Sequence, residues 1–537
     1  MKRILAFILS LVMAVTMFAG CGSTSKASKA IAACIASEPE SIDPSLNKSL
    51  DGGTYINCAF EGLATYNKDG KVVEGTAEKW ETSADGLVWT FHIRKDAKWS
   101  DGKDVTAKDF VYAWKRTVDP ATASPYAYYL FFIKNGTAIN GKQKKVDELG
   151  VKAIDDKTLQ VTLESPCSFF TEIVAFPALV PQREDIVSKD SKKWTLDTKT
   201  YIGNGPYVLT GWEHDSKITF EKSNTYWGKD TIVAPKIEWY LMSDGNAILS
   251  SFKNKQLNFA RQIPPDEYAA EKTAGTLQIL PQLSTYYLDL NNSKAPFDNA
   301  KVRKAVSLAI DRNYIVEKVA KGGEVPAGAY VPYGIADVKQ TPDFRTVGGD
   351  FYSVKKEDFE KNVAEAKKLL AEAGYPDGKG FPKVTYGINT DTRHQLIAEA
   401  VQQMLKKNLN IDVEIQAQEW NVFQKSREDG VYNINRNGWI GDYMDPSTFT
   451  DLFTSNNIQN NAKYKNPKYD ADIAAARTEK DPAKRMQLLH DAEKLMMDDA
   501  AIAPLFFYTD PIDISKDLQG YVVTKLGFVY LNWASFK

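Results

Sequence analysis

The order of secondary structure predicted for residues 384–415 constrains the fold more than any other feature of this sequence. Residues 384–388 predict a strand, residues 394–407 a helix, and residues 411–415 a second strand with alternating apolar side chains. This strand-helix-strand order is typical of mixed α/β domains. A chain of 537 residues, 43% of them hydrophobic, can bury large cores, so we expect two or three domains.

Two more helices are predicted ahead of this unit. Apolar residues from Val302 onward fall on one helical face, and Asp298 and Asn299 are candidate caps at its start. Residues 356–373 predict another helix, which Gly374 would end.

The N-terminus has the layout of an exported lipoprotein. Lys2 and Arg3 precede an apolar run over residues 4–18, which is too short to span a bilayer comfortably. Ala19-Gly20-Cys21 resembles the lipobox of bacterial lipoproteins, which implies a signal peptide over residues 1–20 and a lipid on Cys21. Residues 21–30 would form a flexible tether. An ordinary signal peptide with an incidental cysteine is the alternative.

Composition narrows the classes of partner and site. Removing Lys2 and Arg3 would leave 65 basic and 69 acidic residues, and nothing in this balance suggests nucleic acid. Cys34, Cys58 and Cys167 are an odd number, so one disulfide at most can form, and their apolar neighbours predict free, buried thiols. Since no cysteine or histidine has metal-ligand spacing, we expect no metal and no cofactor.

Several segments together resemble the solute-binding proteins of bacterial ABC-type oligopeptide importers. The resemblance covers nearly the whole chain after the tether. It is carried by Ser37-Glu38-Pro39, Ile42-Asp43-Pro44, Phe60-Glu61-Gly62-Leu63, residues 87–99, Gly203-Asn204-Gly205-Pro206-Tyr207, Pro296-Phe297-Asp298 and Ala309-Ile310-Asp311-Arg312.

This resemblance implies an α/β fold with two lobes that close over the ligand like a clamshell, plus an additional inserted domain. We expect lobe I to comprise residues 31–60, 185–290 and 510–537, the inserted domain residues 61–184, and lobe III residues 291–509. The implied function is that of a monomeric, non-enzymatic receptor anchored outside the cytoplasm. It would capture short peptides and deliver them to the permease subunits of an ABC importer.

We expect residues 436–443 to lie at the centre of the ligand-binding site. It places Asp442 among aromatic rings and small residues, which suits a socket for an ammonium group. A simpler alternative is an aspartate in the turn before Asp445-Pro446. The sequence Gly438-Trp439-Ile440-Gly441-Asp442-Tyr443 matches the oligopeptide binders, whose aspartate pairs with the peptide N-terminus. The resemblance therefore implies this role for Asp442.

The same subfamily holds the other end of the peptide with two arginines and a histidine. The matching residues are Arg427, Arg436 and His394. Arginine suits carboxylate geometry, so this set is implied to bind the peptide C-terminus. The alternative for Arg427 and Arg436 is a solvated surface charge.

The resemblance implies further pocket-wall or backbone contacts. Aromatic rings offer contact area without demanding a particular hydrogen bond, glycines permit close approach, and a lysine would favour acidic side chains. Enterobacterial members have a cysteine at position 440, so their disulfide is absent here. The residues are Tyr126, Trp420, Gly438, Trp439, Ile440, Gly441, Tyr443 and Lys48.

Two other functions are alternatives for a chain of this kind. The same fold binds other solutes, such as a signalling peptide, a metal complex or a glycan, but a glycan would not need charged groups at both ends of the site. A secreted hydrolase is disfavoured because the sequence has no Gly-x-Ser-x-Gly elbow and no zinc-binding helix motif.

Overall fold

The computed structural model describes residues 30–36, 38–339, 341–457 and 459–537, apart from the side chains of Thr392, Trp420 and Asn421. The predicted signal peptide, Cys21 and residues 22–29 of the predicted tether lie outside these ranges. Within them, no helix combines the length and the apolar character needed to cross a bilayer.

The α-helices vary from single turns to eighteen residues. In chain order they are α1 Leu50–Ala59, α2 Ala107–Val118, α3 Gly136–Asn140, α4 Phe170–Val174, α5 Glu184–Val187, α6 Gly245–Lys253, α7 Tyr268–Ala274, α8 Ala300–Leu308, α9 Arg312–Tyr314, α10 Phe344–Gly348, α11 Phe359–Glu372, α12 Thr392–Leu409, α13 Trp420–Glu428, α14 Ser447–Thr450, α15 Pro467–Thr478 and α16 Pro482–Asp498.

The strands form two large sheets and three small hairpin-like pairs. They are β1 Ile31–Cys34, β2 Ala64–Tyr66, β3 Val72–Glu74, β4 Ala77–Thr82, β5 Val88–Ile93, β6 Val151–Asp155, β7 Thr158–Thr162, β8 Tyr207–Glu213, β9 Lys217–Lys222, β10 Lys236–Tyr240, β11 Phe259–Ala260, β12 Leu277–Leu290, β13 Val325–Pro326, β14 Val384–Asn389, β15 Val413–Gln418, β16 Ile434–Ile440, β17 Ile502–Ile514, β18 Leu518–Gln519, β19 Val522–Val523, β20 Val529–Tyr530 and β21 Ser535–Phe536.

The main sheet is continuous through both halves of the chain. Its strand order is β15-β14-β16-β12-β17-β11-β1-β10-β9-β8, with β13 added beside β17. The two longest strands, β12 and β17, pair antiparallel near its middle. β17 crosses the boundary predicted between residues 509 and 510. A separate four-stranded sheet, β4-β5-β7-β6, lies entirely within residues 61–184.

The predicted strand-helix-strand unit is confirmed as β14, α12 and β15. The helix starts earlier than predicted because Asp391 accepts a hydrogen bond from the backbone of His394 at 2.9 Å, which caps it at Asp391. Asn410, in the left-handed region with φ 54°, ends it. The following strand begins at Val413 rather than Ile411.

Helices α12 and α13 lie on opposite faces of the main sheet. β14, β15 and β16 are parallel, and β14 stands between the other two. The chain therefore moves outward through α12 and back through α13, and right-handed crossovers in opposite directions place their helices on opposite faces. A buried cluster containing Ile397, Leu405, Tyr286 and Leu288 joins α12 to one face of β12.

The three cysteines within the described residues are free and buried, as predicted. Burial raises the pKa of the Cys34 thiol to about 11 and that of Cys58 to about 12. The helix predicted from Val302 is α8, and Asn299 caps it by accepting from the Lys301 backbone at 2.9 Å.

A fully buried ion pair fixes helix α16 against the loop beside the main sheet. The Arg345 and Glu493 side chains have no exposed surface, and Nη1 of Arg345 lies 2.6 Å from Oε1 of Glu493. The same carboxylate oxygen accepts from the backbone N–H groups of Tyr330 and Val331, at 3.0 and 2.8 Å. Its loss would leave a buried guanidinium without a carboxylate.

We expect Glu493→Ala to lower the free energy of unfolding by roughly 3–5 kcal/mol, because breaking a buried pair leaves one charge uncompensated. Urea denaturation followed by circular dichroism measures the change. Lys494→Ala is the matched control, since Lys494 is the next residue of α16 and pairs with Asp498 at the surface. Equal effects of the two substitutions would contradict this account.

Candidate functional site

Strand β16 presents alternate residues to opposite faces of the sheet. Arg436, Gly438 and Ile440 share one face, whereas Asn437 and Trp439 point to the other. The register pairs Gly438 with Tyr286. Because Tyr286 belongs to the cluster that packs α12, the Arg436 face is the α12 face.

One edge of β16 has no neighbouring strand along most of its length. β12 pairs with all seven residues of β16, but β14 pairs only with Ile434 and Asn435. Within the described part of the chain, residues 437–440 therefore have no strand partner on the β14 side. An edge of this kind can receive an extended peptide by strand addition.

Asp442 follows the end of this open edge, and tyrosines from a distant segment contact it. The Tyr128 hydroxyl donates to Asp442 Oδ2 at 2.7 Å, and the Tyr129 hydroxyl donates to the Asp442 carbonyl oxygen at 2.7 Å. The Asp442 N–H donates to Thr448 Oγ1 at 2.9 Å. Burial raises the pKa of Asp442 to about 7, opposed by the hydrogen bond from Tyr128.

Arg436 and His394 meet near the other end of the open edge. Nη2 of Arg436 lies 2.6 Å from Nε2 of His394, and its Nε donates to Asn389 Oδ1 at 3.0 Å. Since arginine is always a donor, Nε2 of His394 accepts and the ring proton is on Nδ1. Burial, followed by the charge of Arg436, lowers the pKa of His394 to about 3. His394 is therefore a neutral group beside a cation.

Arg427 lies beneath the strand rather than beside Arg436. It belongs to α13, and its Nη1 donates to Asn437 Oδ1 at 2.6 Å on the opposite face of β16. Its side chain is 7% exposed, and Asp289 is the main charge that favours its protonated form. Burial raises the pKa of Asp289 to about 7, although Arg427 opposes this. The structure thus brings His394 and Arg436 together but holds Arg427 in a buried network.

The two polar ends are separated by a distance suited to a short peptide. Arg436 and Asp442 are six residues apart, which is at most about 20 Å at roughly 3.3 Å per residue. The long side chain of Arg436 shortens the gap that a ligand would have to fill.

The aromatic side chains predicted to line the pocket differ in their exposure to solvent. Tyr443 is 5% exposed and stacks on Phe169 at 4.8 Å, so it is packed mainly within a cluster of rings. Tyr126 is half-buried, 4.8 Å from Phe176. Trp439 is also half-buried, and its Nε1 has no hydrogen-bond partner among the described residues. Trp420 begins α13, and its side chain lies outside the described residues.

The remaining predicted contacts also have structural explanations within the chain. A Cβ on Gly441 would lie 2.7 Å from Leu283 Cδ2, and one on Gly438 3.0 Å from the Tyr508 hydroxyl, so both glycines make room for neighbouring side chains. Ile440 is 40% exposed on the open face. Lys48 is exposed and pairs with Glu40 at 2.5 Å.

Two residues of this region were not predicted from the sequence. Tyr128 comes from the short 3-10 helix Ala127–Phe132, two positions after the predicted Tyr126. Arg393 precedes His394, pairs with the buried carboxylate of Glu324 and lies 5.7 Å from the ring of Tyr508. Tyr128 was detectable only as part of a tyrosine-rich stretch, and Arg393 only as a basic neighbour of His394.

The chain is similar to proteins of known family and structure. Residues 71–461 match the family described as "Bacterial extracellular solute-binding proteins, family 5 Middle". The oligopeptide-binding protein OppA of Bacillus subtilis is 38% identical over 549 residues, which cover 99% of this chain and 98% of that protein.

Two solved structures give a comparison of states. Haemophilus influenzae OppA in complex with the peptide RPPGFSPFR is 34% identical with a TM-score of 0.82, covering 95% of this chain and 99% of the other. The unliganded open form of the periplasmic murein tripeptide binding protein MppA is 35% identical with a TM-score of 0.75, covering 95% of this chain and 98% of the other. At nearly equal identity, the fold superposes more closely on the peptide complex.

We expect Arg436→Met to raise the pKa of His394 from about 3 while leaving it below the ordinary histidine value, because burial remains after the charge is removed. NMR of the imidazole carbons in histidine-labelled protein follows the titration. Lys406→Met, on the exposed side of α12 where Lys406 pairs with Asp412, should leave the His394 signal unchanged. Titration of His394 near 6.5 in the unaltered protein would contradict the assignment.

Proposed function

Because this chain belongs to the bacterial extracellular solute-binding proteins of family 5, we propose that it captures short peptides and delivers them to an ABC importer. Its relatives include proteins named for oligopeptide and dipeptide binding. The closer superposition on a peptide complex than on an open form also supports a lobe arrangement near that of a liganded protein. The family is one of binding proteins, in keeping with a receptor rather than an enzyme.

The observation that carries this proposal is the placement of opposite polar groups around one open strand edge. Asp442 offers a carboxylate with no cationic partner among the described residues, and Arg436 with His394 offers donors near the other end. Every peptide with free termini has an ammonium and a carboxylate group, so such a site recognises what all peptides share. The ammonium would pair with Asp442 and the carboxylate with Arg436 and the Nδ1–H of His394.

The peptide backbone would add to the open edge of β16 beside residues 437–440. Main-chain hydrogen bonds give affinity that does not depend on side chains, which suits a carrier of varied peptides. Trp439, Ile440, Tyr126 and Tyr443 would border the peptide, as would Gly438, Gly441, Trp420 and Lys48. For Arg427 we propose a supporting role, because its contact with Asn437 stabilises the strand from the opposite face.

We also propose that Cys21 carries a lipid that anchors the protein to the outer face of the cell membrane. The support is the sequence alone, through the lipobox-like Ala19-Gly20-Cys21 and the serine-, lysine- and alanine-rich composition of the residues that follow. We further propose that the protein is a monomer. We also propose that lobe I, the inserted domain and lobe III have the residue limits predicted from the sequence.

Asp442→Asn should weaken the binding of peptides with a free N-terminus by roughly a hundredfold or more, since breaking a buried ion pair costs about 3–5 kcal/mol. N-acetylated peptides, which lack the ammonium charge, should bind poorly to both forms and change little. Isothermal titration calorimetry with matched free and acetylated tripeptides measures the difference.

Asp412→Asn is the control for this substitution, because Asp412 pairs with Lys406 at the surface, away from β16. It should leave both affinities unchanged. An equal loss for free and acetylated peptides in Asp442→Asn would refute the assignment of the ammonium site.

Peptide affinity should fall as the pH is lowered through about 7. Burial raises the pKa of Asp442 to about 7 in the free protein, whereas a bound ammonium would lower it, so binding releases a proton in acid solution. At pH 6, where peptide ammonium groups are fully charged, calorimetry in two buffers of different ionisation enthalpy should detect close to one released proton. Asp442→Asn should abolish that release, and its persistence would assign it to another group.

A further inference from the structure

The Asp442 carboxylate is held asymmetrically by a residue with no assigned role. The Tyr128 hydroxyl donates to Oδ2 at 2.7 Å. No other described residue donates to either oxygen of this carboxylate. Tyr128 and Asp442 are 314 positions apart in sequence, so the contact joins the segment 61–184 to the end of β16.

We propose that Tyr128 is a positioning residue of the ammonium site, whose hydroxyl fixes Oδ2 of Asp442 and leaves Oδ1 to receive the ammonium group of a peptide. This inference rests on the proposed peptide-binding function and specifies how its anchor is built. Tyr128 contacts the Asp442 carboxylate and not the ligand. By orienting this carboxylate, it determines where the ammonium group binds.

The geometry favours this division of the carboxylate. A carboxylate offers several lone-pair directions, so one oxygen can accept from a phenol while the other accepts from an ammonium group. Tyr129 donates to the carbonyl oxygen of Asp442 and Thr448 accepts from its N–H, which fixes the backbone on both sides of the side chain. With the backbone fixed, Tyr128 determines the orientation of the carboxylate plane.

The charged groups around this site supply no cation to Asp442. The nearest titratable neighbours are the phenols of Tyr126, Tyr128, Tyr129 and Tyr443, which are neutral. The nearby acids and bases are already paired with each other: Asp445 with Arg485 at 2.7 Å, and Asp451 with Arg477 at 2.8 Å.

A buried carboxylate without a cation tends to take up a proton, and a hydrogen bond to its charged form opposes this. Tyr128 is therefore the group within the described chain that keeps Asp442 ready to bind an ammonium ion near neutral pH. Removing the hydroxyl while keeping the ring should weaken the site and change the pH range over which it works.

The test compares Tyr128→Phe with Tyr129→Phe in the full chain, using trialanine as the probe and calorimetry from pH 5.5 to 8. Tyr128→Phe should bind trialanine about tenfold more weakly near pH 7, the usual effect of losing a hydrogen bond to a charged group. The pH at which affinity falls should move upward. Tyr129→Phe removes a bond to the backbone oxygen and none to the carboxylate, so any loss of affinity in this variant should leave unchanged the pH at which affinity falls.

An unchanged pH profile in Tyr128→Phe, with melting temperatures matched to the unaltered protein, would overturn the inference. So would equal upward shifts in both variants, which would indicate a general loss of packing. Failure of the unaltered protein to bind trialanine or other short peptides would instead refute the proposed function, and is distinguishable because it needs no variant.

Discussion

The antiparallel ladder between β12 and β17 is the interaction on which the rest of the structure depends. These are the two longest strands, and they join the strands β15, β14 and β16 to the strands β11, β1, β10, β9 and β8. β16 takes its register from β12, and its open edge exists because β14 leaves it after Asn435. The candidate site therefore depends on the pairing of β16 within the main sheet, and the segment after β16 adds Asp442 to it.

The charges at the two ends of the open edge of β16 determine which ligands can bind there. Asp442 is half-buried among phenol rings without a cation among the described residues, and His394 is kept neutral by burial and by Arg436. A positive group on a ligand would stabilise Asp442, and a negative group would stabilise the pair of Arg436 and His394. In the binding mode that we propose, a peptide along β16 would supply both groups, so binding would relieve two unfavourable arrangements at once.

The sequence predicted most where the signals were local. The sequence pattern predicted a helix over residues 394–407, and the structure confirms it as α12. The ends were each missed by two residues, because the caps at Asp391 and Asn410 were not recognised. The contact of Tyr128 with Asp442 could not be predicted, because 314 residues separate them. The face of the sheet on which Arg427 lies could not be predicted for a different reason, since it depends on the handedness of two crossovers and not on the neighbours of Arg427 in sequence.

A crystal structure of the protein with a bound tripeptide tests the central claim most directly. The account predicts an extended peptide beside residues 437–440, its ammonium nitrogen within hydrogen-bonding distance of Asp442 and its carboxylate facing Arg436 and His394. A peptide bound in the reverse direction, or away from the edge of β16, would contradict it.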